Sequence, residues 1–412
     1  MPNISEKALQ MPASPIRKLV PFSDEAKKKG IHVFHLNIGQ PDIETPSSLL
    51  NAVKETKIRV LEYSPSPGIE SYRIGLAKYY ASHEIHVSSN EILVTTGGSE
   101  ALQFAFHICF NPRDEVIIPE PFYANYNGFS AAGHVHVVPI SSQIETGFRL
   151  PSLSDFEKAI TPKTKGILIC NPGNPTGCLY SREELQGLGE LAKKHNLFLL
   201  ADEVYREFCY DGKKFFSVMH LKNLDDNIIL LDSISKRYSA CGARIGALIT
   251  RNKEVLSAAL RFAQARLSPP TLGQIAGEGA LSTPPSYFEA VIKEYSARRN
   301  FLVEALNQIP GVFCNMPGGA FYCIARLPVL DTDHFCEWLL KDFSYLNQTV
   351  MLAPASGFYA SPKKGKNEVR LAYVLKISEL EMAMVCLKKG LETYQCLFPE
   401  PKNSELSKTG HS

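Results

Sequence analysis

Seven short apolar runs, each closed by a turn-forming or polar cluster, constrain the fold of this chain more than any other feature. They occupy residues 91–95, 115–119, 135–140, 166–170, 197–201, 228–231 and 245–250. Within them apolar residues are close to continuous, as in Ile-Leu-Ile at 167–169 and Ile-Ile-Leu-Leu at 228–231. A strand of that kind is covered on both faces, as in a parallel sheet. Helical patterns fall between the runs: from Gly97 to about 110, around Tyr126, over 153–160 and over 181–195. Ser181 and Glu184 stand at the spacing of a capping box for the last of these. Strands alternating with helices at this rhythm predict βαβ units.

The flanks read differently. Residues 1–15 are polar and contain proline, and read as a loose arm. A helix is predicted over 14–29, ended by Gly30, then a strand over 33–38, a helix over 47–57 capped by Ser47, and a helix over 69–82. Helical patterns fill 253–307. Strands at 321–325, 349–352 and 368–374 follow, with helices over 332–342 and 378–394. The predicted class is α/β. A large domain over 49–300 holds a mostly parallel sheet flanked by helices, and both chain ends, 1–48 and 301–398, build a smaller α+β domain. The polar tail, 399–412, is predicted to be disordered.

Composition narrows function by exclusion. Of 412 residues, 44% are hydrophobic and 21% charged, an ordinary globular balance. The formal net charge of +2 gives no electrostatic argument for nucleic acid or a membrane surface as partner. No apolar run approaches the ~20 residues that span a bilayer. The opening residues, Met-Pro-Asn-Ile-Ser-Glu-Lys, lack the apolar core of a secretory signal. The ten cysteines contain no Cys-x-x-Cys pair, which argues against a zinc site, so no metal is expected. Several lie in apolar runs, as small buried hydrophobes of a reducing compartment do. The expected location is cytoplasmic.

Polar groups gather where the apolar runs end, the edge at which open α/β sheets bind ligands. Ser-Ile-Ser-Lys at 233–236 follows one run, and Arg244 comes eight residues after Lys236. Ser233, Ser235 and Arg244 can all donate to one phosphate. A lysine beside a phosphate anchor is what pyridoxal phosphate requires: an amine for its aldehyde and a cradle for its phosphate. Gly97, Gly98 and Ser99 open a helix whose N–H groups and dipole suit a phosphate. Asp202 ends a strand, and an ionised carboxylate there would keep a pyridine nitrogen protonated. Tyr205 and Asn174 could both donate to the cofactor's phenolic oxygen and stabilise the phenolate. Asn174 lies in Asn-Pro-Gly-Asn-Pro-Thr-Gly at 171–177, where two prolines and two glycines leave little freedom. Each feature alone has an ordinary structural reading, and the argument rests on their joint order.

In that order, the Asn-Pro-x-Asn-Pro-Thr-Gly box, the Asp-Glu-x-Tyr box at 202–205 and the Ser-x-Ser-Lys-x7-Arg-x-Gly box resemble those of a known family. The chain looks like a class I/II aminotransferase of the fold-type-I pyridoxal phosphate superfamily, in the branch of the I-gamma aspartate aminotransferases. The resemblance runs from about Ser14 to Leu397. It implies that Lys236 links to the cofactor and then shuttles a proton between the substrate Cα and C4′. It implies that Asp202 pairs with the pyridine nitrogen, that Tyr205 and Asn174 bond the phenolic oxygen, and that Tyr123 stacks on the ring. Gly98, Ser99, Ser233, Ser235 and Arg244 would hold the phosphate. Tyr63 would reach the phosphate of a partner subunit, which implies a homodimer with shared active sites. Arg370, in Val-Arg-Leu-Ala-Tyr at 369–373, would bind the substrate α-carboxylate as a bidentate fork, with the Gly39 backbone and Asn174 beside it.

One part of the pattern departs. The best-known aspartate enzymes read the distal carboxylate with an arginine from the partner subunit. Arg266, in Ala-Arg-Leu-Ser-Pro-Pro at 265–270, lies in the right neighbourhood but not at the matching position. Arg17 and Lys18 are further candidates to overhang the site. The expected reaction is a ping-pong transfer from an L-amino acid, aspartate first, to a 2-oxo acid, 2-oxoglutarate first. Aromatic, alanine and diaminopimelate donors remain alternatives, as does a C–S or β-lyase reaction with the same cofactor. A binding protein that keeps the fold without turnover is a third reading, opposed by the intact lysine, aspartate and arginines.

Overall fold

The computed structural model describes residues 2–399. Its strands are β1 (His32–His35), β2 (Ile92–Thr95), β3 (Glu115–Glu120), β4 (His136–Ser141), β5 (Thr164–Cys170), β6 (Phe198–Asp202), β7 (Ile228–Ser233), β8 (Gly246–Ile249), β9 (Phe313–Cys314), β10 (Tyr322–Arg326), β11 (Gln348–Met351), β12 (Ala353–Pro354) and β13 (Glu368–Ala372). Its helices are α1 (Glu6–Gln10), α2 (Val20–Lys28), α3 (Ser47–Lys54), α4 (Glu70–Ser82), α5 (Gly97–Cys109), α6 (Asn125–Gly133), α7 (Leu153–Ala159), α8 (Arg182–Lys194), α9 (Ile234–Arg237), α10 (Lys253–Ala265), α11 (Thr271–Ala280), α12 (Pro285–Asn307), α13 (Thr332–Lys341) and α14 (Ile377–Leu397).

Seven strands form the central sheet in the order β2-β8-β7-β6-β5-β3-β4. All neighbours pair in parallel except β8, which is antiparallel to both β2 and β7. The continuous apolar runs are the reason the sheet is covered on both sides. Leu168, Leu200 and Ile229 enter one hydrophobic core, and Ile167, Leu199 and Leu230 enter the other. Burying each such side chain contributes about 1.5–3 kcal/mol. Helix α8 opens with the capping box foreseen at Ser181 and Glu184, with both reciprocal bonds formed.

A four-stranded antiparallel sheet, β12-β13-β10-β9, stands apart from the large one, and β1 pairs in parallel with β11. The β1–β11 pairing, His32 beside Gln348 through His35 beside Met351, brings the two ends of the chain together.

Three local expectations need correction. Residues 6–10 form the short helix α1, capped by the Ser5 hydroxyl, where a loose arm is predicted. The helix predicted over 14–29 starts at Val20, with turns before it. Pro21 lacks an N–H and is tolerated only in a first turn. Helix α3 has Pro46, not Ser47, at its N-cap and no side-chain capping bond. The predicted tail beyond Pro399 lies outside the described residues. Among the described residues, no helix is long and apolar enough to cross a membrane.

Candidate active site

Strand register gathers the polar groups at one edge of the large sheet. Cys170 stands beside Asp202, and Asp202 beside Leu231, so β5, β6 and β7 end side by side. Strand β8 runs the other way, with Gly246 opposite both Ser233 and Thr95. Its antiparallel course therefore returns Arg244, just before β8, to the edge where Gly97 follows β2. From the second sheet, β13 carries Arg370 and β10 carries Tyr322 to the same place, and the chain leaving β1 brings Asn37 and Gly39. A cavity of about 750 Å³ lies between them. A wider cleft of about 1440 Å³, bordered by Arg182, Lys213 and Phe216, contains none of these groups.

Lys236 sits on α9, where its Nζ donates to the Gly39 carbonyl at 2.9 Å. The absence of a side chain at Gly39 makes room for Tyr322, since a Cβ there would stand 1.7 Å from the Tyr322 hydroxyl. Asp202 is buried. The Tyr126 hydroxyl donates to its Oδ2 at 2.8 Å, and the Val204 N–H reaches Oδ1 at 3.4 Å. Burial raises its pKa from the ordinary 3.8 to about 6, against the opposing pull of those two donors. A cationic ring nitrogen beside Asp202 would return it to the ionised form.

At the opposite end of the cavity, Gly98 and Ser99 open α5. The Arg244 guanidinium packs against Gly97, which has a φ of +74° and whose Cβ, if present, would meet Nη2 at 2.3 Å. Arg244 also donates to the Cys241 carbonyl at 3.0 Å. Ser235 and Ser233 both line the cavity, but their roles divide. Ser233 is the N-cap of α9: its Oγ accepts the Ser235 N–H at 3.1 Å and lies 2.9 Å from the Ile245 carbonyl that takes its proton. The Ser235 hydroxyl lies 2.8 Å from the Ser233 hydroxyl and lines the cavity, where it can turn to a ligand.

Asn174 and Arg370 form a second polar group. Arg370 Nη1 donates to Asn174 Oδ1 at 3.1 Å, and Nη2 donates to the Asn37 carbonyl. The guanidinium lies between the rings of Tyr322 and Phe358, at 4.6 and 4.9 Å from their centroids. Its Nε, and Asn37 Nδ2, are buried without a hydrogen-bond partner among the described residues. Both residues line the cavity, so an anionic or carbonyl ligand there could accept from these donors. Asn174 Nδ2 is 3.4 Å from the Tyr205 hydroxyl, which lies 2.9 Å from that of Tyr322. Tyr123 lines the cavity, and burial pushes its phenol up to about 12.

These residues fit pyridoxal phosphate. Helix N–H groups, Ser99, Ser235 and Arg244 suit its phosphate, Asp202 its ring nitrogen, Asn174 and Tyr205 its phenolic oxygen, and Lys236 its aldehyde.

Two sequence expectations fall outside this cavity. Arg266 does not line it. Its Nε donates to Glu100 at 3.2 Å and its Nη2 to the Val94 carbonyl at 2.9 Å, so within its own subunit it ties the end of α10 to α5 and β2. Tyr63 lies on the loop between α3 and α4, 78% exposed, and does not reach this protomer's cavity. Sequence reasoning assigns no role to Tyr126, Tyr322 or Asn37. Tyr126 had a signal, since it stands one helical turn from Tyr123. Tyr322 reads as one more aromatic residue of an apolar run.

The comparisons with known proteins agree with this geometry. The family described as aminotransferase class I and II matches residues 31–386. The aspartate aminotransferase of Thermotoga maritima is 34% identical over 90% of this chain and 95% of its own. Aromatic-amino-acid aminotransferase 2 of Thermococcus litoralis is 30% identical over 94% and 98%. The structure of an alanine aminotransferase from Pyrococcus furiosus superposes with a TM-score of 0.87 at 30% identity, covering 95% of this chain and 100% of that one. With its sheet edge, its lysine-bearing turn and a family match over most of its length, this chain belongs to the class I and II aminotransferases.

Proposed function

We propose that the chain is a pyridoxal-phosphate-dependent transaminase that moves the amino group of aspartate to 2-oxoglutarate by a ping-pong mechanism. The observation that carries this reading is the convergence of Lys236 from α9, Asp202 from the end of β6 and Arg370 from β13 on one cavity. The aspartate assignment draws on the relatives bearing that name. When bound, pyridoxal phosphate supplies an aldehyde that links to amines and a ring that withdraws electrons from the attached Cα.

The chain's own residues do the rest. Arg370 offers its free Nε, with its Nη groups held by Asn174 and Asn37, as a fixed cationic fork for the α-carboxylate. Holding that carboxylate orients the Cα–H bond toward Lys236, whose Nζ is fixed by Gly39. Lys236 Nζ takes up the proton released from Cα and returns it. Asp202 holds a proton on the ring nitrogen, and the low-dielectric floor that raises its own pKa strengthens that pairing. Asn174 and Tyr205 fix the phenolic oxygen. Tyr63, exposed in one protomer, would serve a partner's site in a homodimer.

The apolar side chains of Ile16 and Val20 beside Tyr123 at the cavity wall favour a second reading, in which an aromatic amino acid is also a donor. The test is a single-turnover screen of the purified holoenzyme against the twenty amino acids and diaminopimelate, with the 2-oxo acid product measured by chromatography. Oxaloacetate from aspartate supports the proposal. Pyruvate and ammonia from cysteine or cystathionine, without any 2-oxo acid acceptor, would overturn it.

A further inference from the structure

The charges that line the cavity do not balance against the groups assigned so far. Four cations face it, Arg17, Lys236, Arg244 and Arg370, and one carboxylate, Asp202. Under the reading proposed above, Arg244 answers the phosphate, Lys236 the aldehyde, Arg370 the α-carboxylate and Asp202 the ring nitrogen. Arg17 alone has no counterpart.

We propose that Arg17 is the specificity-determining residue that receives the side-chain carboxylate of a dicarboxylic amino acid. The inference rests on the transaminase reading.

Local structure aims this side chain. The Arg17 N–H bonds the Ser14 carbonyl at 3.2 Å and the Ser14 hydroxyl at 3.3 Å, which fixes a turn just before α2. Its two neighbours in sequence are engaged elsewhere: Lys18 pairs with Asp333 at the start of α13, and Leu19 is buried in the core. Pro15 packs so closely on Gly357 that a Cβ there would stand 2.2 Å from the Pro15 Cβ. The turn is thus anchored on both sides of Arg17. The guanidinium is exposed at the mouth, lines the cavity and has no ion-pair or hydrogen-bond partner among the described residues. Its charge is felt within the site, since it opposes the rise in the Tyr123 pKa.

The neighbours of Arg17 explain how one pocket can serve more than one donor. Ile16 and Val20 give an apolar wall on either side of Arg17, so an apolar side chain and an acidic one can both be met at this mouth. An acidic side chain gains a charge-assisted hydrogen bond from Arg17. A neutral one gains nothing from Arg17.

The experiment compares donors in the holoenzyme. In Arg17→Gln, the ratio of kcat/KM for aspartate to that for alanine should fall roughly 10- to 100-fold, the range of one hydrogen bond to a charged group. Arg17→Lys should recover part of the loss. In parallel, the inhibition constant of succinate should rise by a similar factor in Arg17→Gln while that of propionate keeps its rank. A donor ratio and succinate affinity within threefold of wild type would overturn the role of Arg17 and leave the transaminase reading standing. A wild-type enzyme that transaminates neutral donors but no dicarboxylate would overturn this proposal and the aspartate assignment together. A wild-type enzyme with no transamination would reject the underlying reading.

Discussion

Asp202→Asn should make the cofactor-free protein more stable at neutral pH while weakening its hold on the cofactor. Asp202 has its pKa raised from 3.8 to about 6 by its position under the cavity floor. An acid whose pKa is higher in the folded than in the unfolded state binds more protons when folded. Its favourable contribution is complete below about 3.8 and is lost as pH rises through about 6. Above that, the ionised carboxylate sits in a folded protein that disfavours it by about 2 pKa units, or ~3 kcal/mol. Asparagine keeps the shape and can accept the Tyr126 hydroxyl, but carries no charge. Its Nδ2 would face the Val204 N–H, now a 3.4 Å contact to oxygen, which takes back part of the gain. The net expectation is a stabilisation of ~1–3 kcal/mol at pH 7.5 that shrinks toward zero near pH 4. Urea unfolding of the two cofactor-free proteins at pH 7.5 and 4.5 measures it. Cofactor retention after dialysis should show the reverse order, since a cationic ring nitrogen buried without its carboxylate costs about 3–5 kcal/mol. A variant less stable than wild type at pH 7.5, or a difference independent of pH, would refute the reasoning.

Other substitutions test the remaining parts. Lys236→Ala should abolish transamination while pyridoxal phosphate still binds non-covalently, as read by turnover and by equilibrium dialysis; turnover near wild type would reject the assigned role. Arg370→Lys should lower kcat/KM for every amino acid by a similar factor, about 10–100-fold, because it loses a fork aimed at the group all substrates share. A loss confined to dicarboxylates would mean that Arg370 reads the side chain instead. Gly39→Ala should displace Tyr322, whose hydroxyl stands 1.7 Å from where the new methyl must go, and lower stability by ~1–3 kcal/mol in urea unfolding. An unchanged midpoint would contradict the close packing at that turn.

The large sheet is legible in the sequence because its signal is local. An uninterrupted run such as 228–231 can bury both faces only inside a covered sheet, and each run ends where a polar cluster begins. The residues after β5, β6 and β7 are therefore placed at one edge before any register is known. The Ser181–Glu184 box is legible for the same reason, since both partners lie in one helical turn. Ser47 misleads because Pro46 takes the N-cap position with no side-chain bond to offer. Arg266 is illegible in a different way. Its partner, Glu100, is 166 residues away, and only packing reveals that its Nε is taken by α5. The Tyr322 hydroxyl likewise meets Tyr205 across 117 residues of chain. Arg17 shows the limit most clearly. The sequence offers Arg17 and Lys18 alike on a helix predicted over 14–29, and only the turn before α2, with Lys18 paired to Asp333 and Leu19 buried, tells them apart.

The most direct test of the central claim is to locate the covalent link. The holoenzyme is reduced with borohydride, digested and mapped by mass spectrometry. The account predicts one cofactor-bearing peptide per chain, modified at Lys236. Modification of a different lysine, or a purified holoenzyme with no modified peptide, would contradict it.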